Sequence, residues 1–409
     1  MTNLVPDTLQ KDLPASGKSL SAAVADTTRL EGVQILRAIA ASLVVFGHLQ
    51  GTIRTHPGEF GAFAPVPING GIGVDIFFAI SGFIIVHSGS RLVGQPGGAR
   101  IFLIRRLARI IPMYWAATAL SIMLALWSAK NVPSLTHAIA SFAFFPVAGT
   151  HVGTFYPVLD LGWSLNYEVL FYTIFALSMV ISSRHYIPVA LSIICLFAVV
   201  GHQEKLGGAL EFWTSSIILE FGFGMLIASI FQKRRITLPR LYRASMILMG
   251  ATIYLADPFG LSKQPITPND VARVLGWGIP GLLLLVTAIS TPLRSDTAIK
   301  RLFLLLGDAS FALYLLHPFV ITASRHIWSR MIPANAVPAE MFLIIAFSLS
   351  CVAAVALHRC ETPLTKRLIQ QLIGKRFTAG ALKQASALIS PKSEGEKIVI
   401  APSAGQQTL

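Results

Sequence analysis

VQILRAIAASLVVFGHL, Val33 to Leu49, is an apolar run in which Arg37 and His48 are the ionisable side chains. With no proline and nearly the length of a bilayer crossing, it reads as a membrane helix. The two residues are eleven positions apart, which is three turns plus about 20°, so both project from one face with about 16 Å between them. Ionisable groups are costly in hydrocarbon and normally face a protein interior or a wet cavity, so this helix is a candidate site. The alternative is that Arg37 and His48 snorkel to opposite headgroup layers.

The rest of the chain has the same character. Of 409 residues, 54% are hydrophobic and 13% charged, against about a quarter charged in ordinary soluble domains. The fold class is therefore all-α, a polytopic membrane helix bundle. Apolar spans fall at 33–50, 71–89, 110–128, 163–182, 187–202, 212–231, 241–256, 272–290, 302–322 and 339–358, which makes ten transmembrane helices. The shorter stretch 135–149, with His137 and Pro146, suits a re-entrant or interfacial segment. Residues 1–29 and 366–409 are polar and are expected to be flexible cytoplasmic tails around a membrane domain at 30–365.

Charge orients the bundle. With ten spans, 25 of the 33 Lys and Arg fall on the side of the N-terminus and seven on the other, so the positive-inside rule predicts that both termini are cytoplasmic. This distribution explains the net charge of +14 without nucleic-acid binding, because no basic surface interleaved with aromatics stands out. Cys195, Cys351 and Cys360 are odd in number and lack zinc-type spacing, so neither a disulfide framework nor a metal site is expected. The polar first thirty residues do not read as a cleavable signal peptide.

In this topology four titratable groups from separate helices are expected at one depth near the outer face: His48, Asp75 in GGIGVDIFFAISGF, Glu168 in WSLNYEVLFY and His317 in SFALYLLHPF. A histidine beside a carboxylate is an apt general base, because the carboxylate orients the ring and stabilises the imidazolium. His48 with Asp75 is the preferred pair, and Glu168 is the alternative partner. Each acid could instead bond a neighbouring helix, as polar groups in bundles do. On the inner side, RRLARIIPMYW puts Arg105, Arg106 and Arg109 on one helix face. Three guanidiniums so placed suit phosphate, although a basic loop also satisfies the positive-inside rule alone. Trp163 and Tyr167 fit an interfacial aromatic belt or an acceptor groove. Gly70, Gly71, Gly73 and Gly82 read as helix-packing positions, and Ser81 as a packing or bending residue rather than a nucleophile.

The stretches RAIAASLVVFGH, GVDIFFAISGF, RRLARIIPMYW, WSLNYEVLFY, SFALYLLHPF and the late ETP (Glu361 to Pro363) together resemble, in order, the acyltransferase-3 family of bacterial integral-membrane acyltransferases. The chain is most similar to its exopolysaccharide O-acetyltransferase branch. The resemblance implies a multi-pass enzyme of the bacterial inner membrane that uses acyl-CoA, usually acetyl-CoA, and no metal, to esterify sugar hydroxyls of a saccharide or lipid-linked glycan. By motif, His48 would be the essential histidine and Arg37 its companion, with Arg106 and Arg109 the arginine pair associated with the donor. Asp75 and Glu168 would occupy the motif acids, and Glu361 the acid before the final proline. Phe311 stands where a tyrosine is frequent.

The expected assignment is therefore catalytic roles for His48, Asp75, Glu168 and Arg37, donor binding by Arg105, Arg106 and Arg109, and acceptor binding by Trp163, Tyr167 and His317. The rival class is a proton-coupled transporter or glycan flippase, in which the same acids and histidines relay protons. No pair of Gly/Pro-interrupted spans in matching halves favours it.

Overall fold

The computed structural model describes residues 17–60, 63–148, 155–203, 206–234, 237–262, 271–290, 296–333 and 336–373. Among the described residues every element is helical. The principal helices are α1 (Gly17–Thr55), α2 (Ile72–Gly89), α3 (Gly98–Ser128), α4 (Leu135–Phe142), α5 (Gly162–Ile181), α6 (Tyr186–Gln203) and α7 (Leu219–Lys233). They continue with α8 (Arg240–Ala256), α9 (Val271–Ile289), α10 (Ala298–Asp308), α11 (Ser310–Met331) and α12 (Ala339–Ile373).

Each of the ten expected spans falls on helix. Among the described residues, seven helical segments are long and apolar enough to cross a bilayer, eight if α10 and α11, bent by 77° at Ala309, form one span. Helices α6 and α8 are shorter than that criterion requires. The chain is a multi-pass membrane protein. α4 has only 8 residues, in keeping with a segment that does not cross. α1 begins inside the stretch read as an N-terminal tail, and α12 runs eight residues past 365; residues 1–16 and 374–409 lie outside the described residues.

α1 is the central helix because its apolar residues recur on two faces. Val33, Leu36, Ala40 and Val44 join the core built on α2, α5 and α7. Ala41, Val45 and Leu49 join a second core from α11 and α12. Spacings of three and four residues put each set on its own stripe. Lipid-facing apolar residues then fall on outer helices, for example Trp127, Leu248 and Val352.

Tail-like lipid supplies no hydrophobic drive between helices, so close backbone packing has to hold them. Gly82 of α2 and Gly224 of α7 do this reciprocally: a Cβ on either would run into a carbonyl oxygen of the other helix, Phe221 or Ala79. Gly73 likewise approaches the Ala40 carbonyl of α1. These contacts bring α1, α2 and α7 together around the polar residues described next.

Candidate functional site

Two cavities occupy successive levels of the bundle. The first, of about 270 Å³, borders Val33–Arg37 of α1, Val74–Ile85 of α2, Arg106–Ile110 of α3, Ser164–Tyr172 of α5 and Ser310–Tyr314 of α11. The second, of about 800 Å³, borders Val44–Thr55 of α1, the 65–71 connection, the segment from Tyr156 to Trp163, and Arg273. Along α1 the boundaries do not overlap, so the cavities lie one above the other. Val74 and Tyr314 are the described residues that border both.

The first cavity is cationic. Arg37, Arg106 and Arg109 line it with one carboxylate, Glu168. Glu168 Oε1 accepts hydrogen bonds from Ser81 Oγ at 3.0 Å and Tyr172 Oη at 2.5 Å. Arg37 Nη1 donates to Gln34 Oε1 at 2.9 Å, and Gln34 Nε2 donates to Asp308 Oδ1 at 2.6 Å. The Arg106 guanidinium donates to Ser88 Oγ and lies over the rings of Phe102 and Tyr172, at 5.7 and 5.9 Å. Arg109 makes no side-chain hydrogen bond among the described residues and lies within electrostatic reach of Glu361. An arginine fork with donors to spare suits a phosphate or another multivalent anion.

The second cavity is headed by His48, which is exposed to it. Behind His48, the His317 ring is completely buried and meets it edge to face at 5.0 Å. His317 Nδ1 is 3.0 Å from the Leu313 carbonyl; a carbonyl only accepts, so Nδ1 carries the proton and Nε2 keeps its lone pair. Nε2 is buried without a hydrogen-bond partner among the described residues, and is available to an N–H of His48. Facing them, Tyr156 and Trp163 stack at 6.4 Å. Burial pushes the Tyr156 phenol above the ordinary tyrosine range, so it is a neutral hydroxyl on the wall. α4 positions this segment: His137 Nε2 donates to Tyr156 O at 2.9 Å, and Val158 N donates to Ser141 Oγ at 2.9 Å.

A buried ionic cluster supports the second cavity. Asp75 accepts from Arg273 Nε and Nη2, both at 2.9 Å, with both side chains essentially inaccessible. The guanidinium lies between the indoles of Trp163 and Trp277, 5.4 and 5.3 Å from their ring centres. Buried Glu220 stands beside this pair. Directly after Arg273 the backbone winds as a π-helix over Val274–Gly278, where Ile279 N bonds to Val274 O. Such bulges recur at functional sites.

The geometry revises several expectations. Asp75 accepts from Arg273 through both oxygens, and the ring that lies against His48 is that of His317. Glu168 does not reach His48, since five residues beyond Trp163 the helix has carried it about 7.5 Å further into the first cavity. His317 and Tyr167 are buried and border neither of the two cavities, and Tyr167 donates its hydroxyl to Phe212 O. Arg105 is exposed and outside the first cavity, while Arg106, Arg109 and Arg37 line it. Trp163 does line the second. Ser81 acquires a partner in Glu168. The sequence reading missed Arg273, Glu220 and Tyr314 as functional candidates. A lone arginine in VARVLGW and a lone acid in ILEFGFG, in different apolar spans, are the available signal of a buried pair.

Residues 30–359 match the family model described as an acyltransferase domain. The chain is 30% identical over 322 residues to the exopolysaccharide production protein ExoZ of Rhizobium meliloti (strain 1021), covering 78% of this chain and 95% of that protein. It is 25% identical over 393 residues to "Putative O-acetyltransferase SACOL0978" of Staphylococcus aureus (strain COL), covering 84% of this chain and 58% of that longer protein. No solved structure matches the chain.

Proposed function

The chain belongs to the acyltransferase-domain family, and from that premise we propose that it transfers an acyl group, acetyl in the first instance, from acyl-CoA to a sugar hydroxyl of an exopolysaccharide or related surface glycan. The observation that carries this reading is the meeting of an arginine-lined cavity and a histidine-headed cavity at Val74 and Tyr314. With both termini in the cytoplasm, as the loop charges favour, the arginine cavity belongs to the inner half of a bacterial cytoplasmic membrane and serves the donor. The histidine cavity then belongs to the outer half and serves the acceptor.

Arg106 and Arg109 hold donor phosphate, and Arg37 lines the path of the thioester arm. His48 takes the proton of the acceptor hydroxyl as that oxygen attacks the thioester carbonyl. The tetrahedral adduct collapses by breaking the C–S bond, and the imidazolium returns its proton to the departing thiolate. His317 Nε2, buried and unpartnered among the described residues, is the acceptor available to an N–H of His48, a contact that would turn the other His48 nitrogen toward the acceptor hydroxyl. Glu168, hydrogen-bonded to Ser81 and Tyr172, spaces the guanidiniums. Asp75 clamps Arg273, whose guanidinium with Trp163 and Tyr156 forms the acceptor wall.

Incubating purified protein with radiolabelled acetyl-CoA and glycan fragments tests this directly. Label should enter the saccharide as an alkali-labile ester. Absence of transfer, together with saccharide counterflow in proteoliposomes, would instead identify a carrier.

A further inference from the structure

The donor cavity ends at Val74 and Tyr314, where it meets the acceptor cavity. At about 270 Å³ this cavity is smaller than the usual range for small-molecule pockets, roughly 300–1,000 Å³, in which the acceptor cavity falls. It has to take the thioester end of the donor, so little space remains for a chain beyond the carbonyl. Where that chain would extend, Tyr314 and Val74 line the junction between the two cavities. Both are nearly inaccessible, at 5% and 6% exposed.

Tyr314 is held in this position. Its hydroxyl donates to the Leu161 carbonyl at 3.0 Å and shares a 2.8 Å hydrogen bond with Ser164 Oγ. Its ring meets Phe77 edge to face at 6.2 Å and faces the His317 ring at 6.3 Å. An aromatic ring fixed at both ends does not yield to an incoming methylene as a flexible side chain would. Its place beside the histidine pair puts the obstruction next to the reacting carbonyl.

We propose that Tyr314, with Val74 at the same junction, sets the acyl chain length of the reaction by narrowing the donor cavity just beyond a short acyl group. This rests on the donor and acceptor reading given above. Removing the ring widens the junction of the two cavities and leaves room for longer chains; removing the hydroxyl alone does not.

The test compares acetyl-, butyryl- and hexanoyl-CoA as donors to one saccharide acceptor, using the full-length protein in liposomes. The wild-type protein should discriminate against hexanoyl by at least about tenfold in kcat/KM, in the range a tight pocket achieves. Tyr314→Ala should raise the hexanoyl-to-acetyl ratio by at least about tenfold, and Tyr314→Phe should keep the wild-type ratio. Val74→Ala widens the junction without touching the hydroxyl network, and should shift the ratio the same way if Tyr314→Ala does not fold. An unchanged ratio in Val74→Ala and in a folded Tyr314→Ala overturns the proposal, as does a Phe variant that relaxes the ratio as far as Ala. A wild-type protein that transfers no acyl group from any acyl-CoA overturns the parent reading instead.

Discussion

In the donor cavity three guanidiniums share one carboxylate, whereas in the acceptor cavity the buried guanidinium of Arg273 is gripped by Asp75 through two hydrogen bonds with Glu220 beside it. Both rely on arginine, yet only the first has positive charge to offer. In the proposed reaction a multiply anionic donor would be recognised by charge left uncompensated, and a neutral hydroxyl by shape, aromatic faces and the His48 ring. The same residue type would then bind ligand at one level and build the wall at the next.

Substitutions can break this contrast. The largest expected effect is His48→Ala, which removes the base from a ring that is already exposed to the cavity; kcat should fall by about 10²–10⁴-fold with unchanged thermal stability and donor affinity, as measured by acetyl transfer and acetyl-CoA binding. Asp75→Asn should act on folding instead. Breaking a buried ion pair leaves an uncompensated charge and costs on the order of 3–5 kcal/mol, read as a lowered detergent-solubilised melting temperature. If the same variant stayed stable and lost only activity, Asp75 would belong to the chemistry. Arg109→Ala removes one charge-assisted phosphate contact worth about 1.5–3 kcal/mol, so the donor KM should rise roughly 10- to 150-fold while the acceptor KM holds. Arg105→Ala is the smallest: an exposed charge outside the cavity should change either KM by less than about twofold.

The fold was largely legible because hydrophobic length is a robust signal: each expected span falls on helix, and the segment 135–149 holds only a short one. The cavity linings were partly legible in the sequence, but the pairings between helices were not. His48, Arg37, Arg106, Arg109, Glu168 and Trp163 all border one cavity or the other. Depth estimated from span boundaries is good to a few residues, about 1.5 Å each, and that margin is enough to merge Glu168 with His48 when they belong to different levels. Partnership across helices depends on rotation and close approach. The Gly82–Gly224 contact that brings α7 against α2 near Asp75 cannot be inferred from either segment alone. Arg273 stands at the start of its span, where a surface arginine and a buried one look alike in sequence.

The account stands on acyl transfer between two cavities that open to opposite sides. The most direct measurement encloses acceptor saccharide inside vesicles with the protein inserted in one orientation, supplies labelled acetyl-CoA outside, and repeats the experiment with the compartments exchanged. Label should reach the saccharide across the bilayer when acetyl-CoA is on the side of the termini, and not in the His48→Ala protein. Transfer only when both substrates share a compartment, or undiminished transfer by His48→Ala, would contradict it.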